Sequence, residues 1–314
     1  MATGYLQTVP NYSGELFTAS REQAPFLSMA GGINGAKVTK ALTFPITSEY
    51  PITAISQPAI SEAVAAAGPP APANTNRSQT YNTVQIFQES VDLSYVKMAT
   101  TGQMAAAGLN IAGSKNPVMN EKDWQIMVTL QKMARDIDYV FLEGTYTVYA
   151  TSATTFKSRG IVTASVAGSN TTAEAGATLT KALFNAALID AWNNGAKFIK
   201  PVIFCGAFNM TKFSDIYGYA PESRTYGGLA IKTILTDFGE MGIVLEPHLT
   251  NTTILVADMA VCNPVFCNIP GKPALFYEDL AKVGAAEEGQ MFTMMGLDYG
   301  PEWMHLTMTG LAAA

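Results

Sequence analysis

Residues 120 to 144, NEKDWQIMVTLQKMARDIDYVFLEG, form the longest stretch of the chain with clean helical periodicity. Ile126, Leu130, Met133, Ile137 and Val140 recur at spacings of four and three, which lays one apolar stripe along a helix. Glu121, Gln125, Thr129, Lys132, Asp136 and Glu143 take the other side. Asn120 suits the N-cap, Glu121 and Asp123 put negative charge in the first turn, and Gly144 ends the helix. At about 1.5 Å per residue the stretch predicts a straight rod of roughly 35 Å. The remainder of the chain has to be arranged along that rod.

The 314 residues are enough for two compact lobes or one domain with large insertions. Charged residues make up 14 %, against roughly 25 % in ordinary soluble chains, and hydrophobic residues 48 %. This balance suits a chain that buries surface against neighbours. A net charge of −6 argues against a dedicated nucleic-acid grip, which needs clustered Lys and Arg. No apolar run is long enough to span a bilayer, and the start MATGYLQTVPNYSG lacks a basic n-region. Three cysteines in a chain this long do not make a disulfide framework. The expectation is a soluble protein folded in reducing cytoplasm.

Ahead of the rod, residues 1 to 37 are weakly periodic. Glu15 to Gln23 predicts a short helix, and Pro25, Gly31, Gly32 and Gly35 break up the rest, so the segment reads as an arm. From Val38 the period changes to two: Val38, Leu42, Phe44 and Ile46 alternate with Thr39, Thr43 and Thr47. A return strand is expected over Tyr81 to Val96, with a Pro/Ala-rich exposed tip at residues 58 to 76. Fully extended, such a two-stranded arm would reach some 50–60 Å. A lone hairpin of that length needs a partner to cover it.

Behind the rod, TYTVYAT (145–151) predicts strand, and SVAGSNTTAEAGAT (165–178) a loose connection. Thr180 caps a second helix with Phe184, Leu188 and Ala191 on one face and Gly195 at its end. Phe198 to Cys205 predicts a buried strand, with a short helix after it carrying Phe208, Phe213, Ile216 and Tyr217. IKTILTDF, IVLEP and TTILVAD read as successive strands of an α/β lobe. Residues 287 to 311 predict two further strands parted near Tyr299, Gly300 and Pro301, with Met304, Leu306 and Met308 alternating against His305, Thr307 and Thr309.

Motifs that would carry chemistry fail on spacing. GGINGAK (31–37) lacks the Walker spacing, because Ala36 separates Gly35 from Lys37 and Val38 comes next. Asp237-Phe238-Gly239 matches the kinase metal-binding tripeptide without a glycine-rich loop or an HRD loop upstream. Cys262 and Cys267 have only His248 and His305 as conceivable partners, so core cysteines are expected rather than zinc ligands. No serine sits in a G-x-S-x-G elbow. The sequence therefore predicts no catalytic residue, no metal ligand and no cofactor.

The order of the pieces says more than any motif. APFLSMAGG after the arm, KDWQIMVTLQKMARDIDYVFLEG, DFGEMGIVLEP with ILVADM, and LAKVGAAEEGQMFTMMGLDYGPEWMHLTMTGL together resemble the major capsid proteins of tailed bacteriophages, the Hong Kong 97-type fold. The resemblance implies an α+β subunit: N-terminal arm 1–37, extended loop 38–100, peripheral domain 101–178 with spine helix 120–144, axial domain 179–275, and a return to the peripheral domain over 276–314. It implies a non-enzymatic protein that assembles with itself into pentamers and hexamers, in a bacterial host's cytoplasm, as the virion's icosahedral wall around double-stranded DNA. Scaffold, portal and decoration or cement proteins are the implied partners, with no specific grip on DNA and no membrane. In the type member a loop lysine joins an asparagine of a neighbour. Here no lysine lies between Ala41 and Val96, Arg77 is the one basic residue there, and Lys40 and Lys97 stand at the loop's base. An encapsulin-like cargo shell, or a small-molecule or enzyme module on the α/β lobe, are the competing readings.

Overall fold

The computed structural model describes residues 23–32, 36–50, 57, 59–68, 74–99, 121–168, 170–218, 223–226 and 229–313. The helix expected over Glu15 to Gln23, the N-cap at Asn120 and part of the loop tip lie outside the described residues. In chain order the elements are α1 (Pro25–Met29), β1 (Lys37–Thr39), β2 (Thr43–Glu49), α2 (Glu62–Ala67), β3 (Ser78–Thr83), β4 (Gln85–Ser94) and α3 (Tyr95–Ala99). The spine α4 (Glu121–Glu143) precedes α5 (Ile161–Ala167), β5 (Thr171–Ala173), α6 (Lys181–Asn193), β6 (Pro201–Cys205) and α7 (Ala207–Tyr217). The chain continues through β7 (Ser223–Tyr226), β8 (Leu229–Thr236), β9 (Gly239–Leu245), β10 (Ile254–Asp258), β11 (Asn263–Cys267), β12 (Leu275–Asp279), β13 (Ala286–Asp298) and β14 (Leu306–Thr309).

Two sheets and a hairpin organise these elements. A seven-stranded mixed sheet runs β5-β14-β10-β6-β9-β8-β7. A five-stranded sheet runs β1-β11-β13-β12, with β4 also paired to β13, and β2 with β3 forms a separate hairpin. In the larger sheet β6 and β10 are buried on both faces, as central strands are when both sides are covered. Val202, Phe204, Leu255 and Ala257 point into a core shared with the spine and the smaller sheet. Ile203, Cys205, Ile254 and Val256 point the other way, against Phe184, Leu188 and Phe213 of α6 and α7. Thr180 caps α6 by accepting from the Leu183 N–H, as its position before the apolar run predicts.

The spine is helical as expected, but its buried stripe is Met133, Ile137 and Phe141, flanked by Asp138 and Leu142. Leu130, expected on the buried side, is exposed, together with Met127 and Val128. The second half of the rod supplies the fully buried positions, while Ile126 of the first half packs partly buried against the same core. Ion pairs tie its edges to the smaller sheet: Lys122 to Asp279 (2.9 Å) and Glu287 (3.4 Å), and Lys132 to Glu89. Such half-exposed pairs contribute about 0–1 kcal/mol each and chiefly fix direction.

Several expected strands are redrawn. The arm expected from Val38 to Val96 is divided among three partners: β1 runs parallel to β11, β2 pairs with β3, and β4 pairs with β13 over ten residues, Ala286↔Ser94 to Met295↔Gln85. Beyond Val84 the return strand leaves the hairpin because Phe87, Val91 and Leu93 find apolar cover on the body. The hairpin pairing spans only Thr43↔Thr83 to Glu49↔Ser78, roughly 20 Å at strand rise. Within the tip, Ser61 caps the short exposed helix α2 where an extended loop was expected. TYTVYAT makes a single bridge, Thr147 to Lys157, and the connection after it contains α5 and β5. The division at residue 275 also departs from strand membership: β11 lies in the five-stranded sheet, while β5 and β14 lie in the seven-stranded one.

Candidate functional site

Asn82 fixes the base of the hairpin. It is fully buried; its Nδ2 donates to the carbonyls of Leu297 (2.8 Å) and Arg159 (3.1 Å) and to Ser158 Oγ (3.3 Å). Its Oδ1 accepts the N–H groups of Arg159 and Thr83, both at 2.8 Å. One side chain thus ties the last turn of the hairpin to β13 and to the chain entering α5. Phe44, Val84 and Val265 pack as a small apolar cluster beside it. Sequence reading passed over Asn82, since its pattern position looked like one more polar residue of an alternating strand.

A second buried cluster holds the segment after the arm. Phe26 is fully buried, edge-on to Phe204 at 5.3 Å, and Leu27 and Met29 enter the same core. The Phe26 N–H donates to Glu246 Oε2 (3.3 Å) and the Leu27 N–H to Asp138 Oδ1 (2.7 Å). Glu246 Oε1 accepts the His248 N–H (3.1 Å), and His248 Nε2 faces the Gln23 carbonyl at 3.0 Å. Burial pushes the Asp138 carboxyl up to about 6. Burial, and then the Asp138 charge, push Glu246 up to about 9. Atoms of Asp138, Glu246 and His248 lie within 4.8 Å of one another. Three of the four carboxylate oxygens already accept backbone N–H groups and the imidazole is turned to Gln23, so these residues fit a hydrogen-bonded network better than a coordination shell.

The motifs weighed in the sequence resolve into structure. Lys37 opens β1 and pairs with Asp298 at 2.6 Å; Ile33, Asn34 and Gly35 of its loop lie outside the described residues. Asp237 and Phe238 form the turn between β8 and β9, and Phe238 packs near Trp192 and Phe198. Cys205 and Cys262 are buried free thiols; burial raises Cys205 to about 12 and pushes Cys262 upward too. His305 is fully buried, with Nδ1 accepting from the Asp258 N–H (3.2 Å) and Nε2 facing the Tyr299 carbonyl, and burial lowers its pKa. That is a neutral core histidine. Thr307 is buried as well, so the alternation expected there does not separate core from solvent: β14 has cover on both faces.

What the described surface offers is apolar area. Met127, Val128, Leu130 and Tyr139 are exposed on the spine, Tyr50 and Tyr81 on the hairpin, and Trp192, Ile199 and Leu235 on the larger lobe, Leu235 at 79 %. These exposed apolar side chains are spread over the spine, the hairpin and the larger lobe instead of lining one pocket. No helix among the described residues is long and apolar enough to cross a membrane.

The family model of the SU10 major capsid protein matches residues 1–312. The chain belongs to the SU10 major capsid protein family. Its fold is the Hong Kong 97 type. The capsid protein of cyanophage A-1(L) superposes with a TM-score of 0.61 at 10 % identity, covering 99 % of each chain. The capsid of the myovirus phage XM1 gives 0.57 at 13 % identity, again over 99 % of each. The SrpI encapsulin of Synechococcus elongatus gives 0.57 at 10 % identity, over 99 % of this chain and 94 % of that one. No curated protein sequence matches. At these identities the superpositions speak to fold alone, and phage and encapsulin shells score alike. The family match is what makes this a phage major capsid protein and a virion component, in a family whose role is structural.

Proposed function

We propose that this SU10-family capsid protein assembles with itself into pentamers and hexamers that close an icosahedral head around double-stranded DNA. The family match over residues 1–312 carries the reading. The apolar side chains left exposed on spine, hairpin and lobe support it, since a closed shell is held by many weak repeated contacts. Residues 1–37 act as the arm and 38–100 as the loop reaching neighbours. The peripheral domain is 101–178 with 276–314, joined by β11, and the axial domain is 179–275, completed by β5 and β14. Assembly takes place in the host bacterium's cytoplasm with scaffold and portal proteins. The net charge of −6 suits a wall that contains DNA without gripping it. Negative-stain images of the expressed protein, with and without its scaffold, are expected to contain capsomers, tubes or shells. Monomers or dimers alone under both conditions would contradict the reading, and shells filled with protein instead of DNA would favour a cargo compartment.

The wall holds without covalent cross-links between subunits. Lys97 sits in α3 at the base of β4 and pairs with Glu121 at 3.1 Å, and Lys40 precedes the hairpin; neither is near its tip. Arg77, at the tip side of β3, carries a guanidinium rather than a free amine and so supplies no cross-linking nucleophile. Mature particles boiled in detergent and reductant are expected to give one band near 33.4 kDa. A surviving ladder of dimers to hexamers would refute this.

A further inference from the structure

We propose that Asp138 and Glu246 form a proton-operated latch, which holds residues 24–30 against the spine while the two carboxyls share one proton and releases them when that proton leaves. The proposal rests on how the oxygens are used. Leu27 N–H satisfies Asp138 Oδ1, and the N–H groups of Phe26 and His248 satisfy the two Glu246 oxygens. Asp138 Oδ2 is buried with no donor. One proton carried by Glu246 supplies the missing donor and completes the network. Without it, two negative charges share a buried site in which, among the described residues, neither pairs with Lys or Arg. Such a site is costly to keep.

The groups facing the pair are few. His248, from the connection between β9 and β10, is the one other titratable side chain that acts on Asp138, and its charge favours the ionised form. Glu143, farther along the spine, is taken up by the N–H and hydroxyl of Thr250. From α1 only backbone N–H groups arrive. Both carboxyls titrate above their ordinary range in the folded protein. Between the ordinary carboxylate range and about 9 the folded state therefore holds more protons than the unfolded chain. The contribution is complete in acid, below the unfolded values, and falls away as pH rises through about 6 and about 9. What lets go is local. α1 has five residues, and Phe26, Leu27 and Met29 are its hold on the core.

Amide hydrogen exchange of full-length protein tests this, on free subunits and on particles, from pH 6 to about 10 with correction for intrinsic rates. In wild type, protection of residues 24–30 is expected to fall by up to about tenfold per pH unit until about pH 9 and to level off above it, while β10 stays protected. Asp138→Asn keeps the Oδ1 acceptor for the Leu27 N–H and places a permanent N–H donor where Oδ2 had none, so its protection is expected to lose most of the wild-type slope with pH. Glu246→Gln, which gains a donor but gives up one acceptor for the N–H groups of Phe26 and His248, is the second variant should the first misfold. A flat wild-type profile overturns the latch, as does a variant that follows the wild-type slope. Loosening by a chelator at constant pH also overturns it, since a bridging cation would then be the counter-charge.

Discussion

Alanine at Gly160 is expected to destabilise the subunit by about 3–5 kcal/mol, the upper end of what one substitution does. Gly144 ends the spine, the chain makes an excursion of fifteen residues, and Gly160 brings it back to start α5. The return is a backbone-to-backbone docking: Gly160 N–H donates to the Gly144 carbonyl at 2.9 Å, and Thr163 Oγ1 donates to the same oxygen at 3.1 Å. A Cβ on Gly160 would stand 2.5 Å from both the Leu142 carbonyl oxygen and the Gly144 nitrogen. One on Gly144 would meet the Val140 oxygen at 2.3 Å and the Ser158 oxygen at 2.6 Å. These are main-chain atoms that cannot swing aside like a side-chain tip, so the two segments must part. Gly176 is the control: its φ of +87° strains an alanine, but nothing lies within 4 Å of the added carbon. Alanine there should cost about 1–2 kcal/mol from backbone strain alone. Urea unfolding of the purified subunits compares the two. If Gly160→Ala proved as mild as Gly176→Ala, the close approach would not be a packing constraint.

Asn82→Ala should be nearly as damaging, about 3–5 kcal/mol, because it strands several buried partners at once. The Leu297 carbonyl and the Arg159 N–H lose the contacts at 2.8 Å that satisfy them, in a site without solvent access. Asn82→Asp keeps the acceptor for Arg159 N–H yet turns carboxylate oxygens toward two carbonyls, so it should not rescue. The wider effect is on direction. With Asn82 gone, the hairpin keeps the apolar packing of Phe44, Ile46 and Val84 at its base but loses the hydrogen bonds that set its angle to the spine. Chemical denaturation measures the first effect and electron microscopy the second, as a fall in closed shells larger than the loss of folded protein explains. Normal yields of closed shells from Asn82→Ala would remove the positioning role.

What could be read from the residues was whatever has a period or a cap. The spine, α6 behind Thr180 and the doubly buried β6 announce themselves through spacing and flanking residues. The turn expected at residues 239–242 falls instead at Asp237-Phe238, with Gly239 opening β9. Strand partners do not. Nothing in Tyr81 to Val96 says that pairing changes at Val84, because β3 and β4 share one alternation and only the body, 200 residues later, supplies β13 as the better partner. Long-range hydrogen bonds are similarly silent. Asp138 sits in a helix where a lone carboxylate is unremarkable, and Glu246 ends an ordinary strand; their meeting depends on the spine crossing the larger sheet. The exposed first half of the spine carries the same kind of signal reversed. Its apolar stripe reads as core, yet in the lone subunit Ile126 is only partly covered and Leu130 is exposed.

The placement of β13 has a consequence for synthesis. Its ladders join β4, β11 and β12, so the smaller sheet has no centre until residues 286–298 have left the ribosome. The larger sheet can form its centre, β10-β6-β9-β8, earlier, and β14 later adds only its edge strand β5. At roughly 5–20 residues per second, the interval between completing β4 and completing β13 is on the order of 10–40 s. Over that time the apolar edges of β4 have no strand beside them, which gives a holding chaperone its natural window. A nascent chain cannot present the finished faces by which subunits pair.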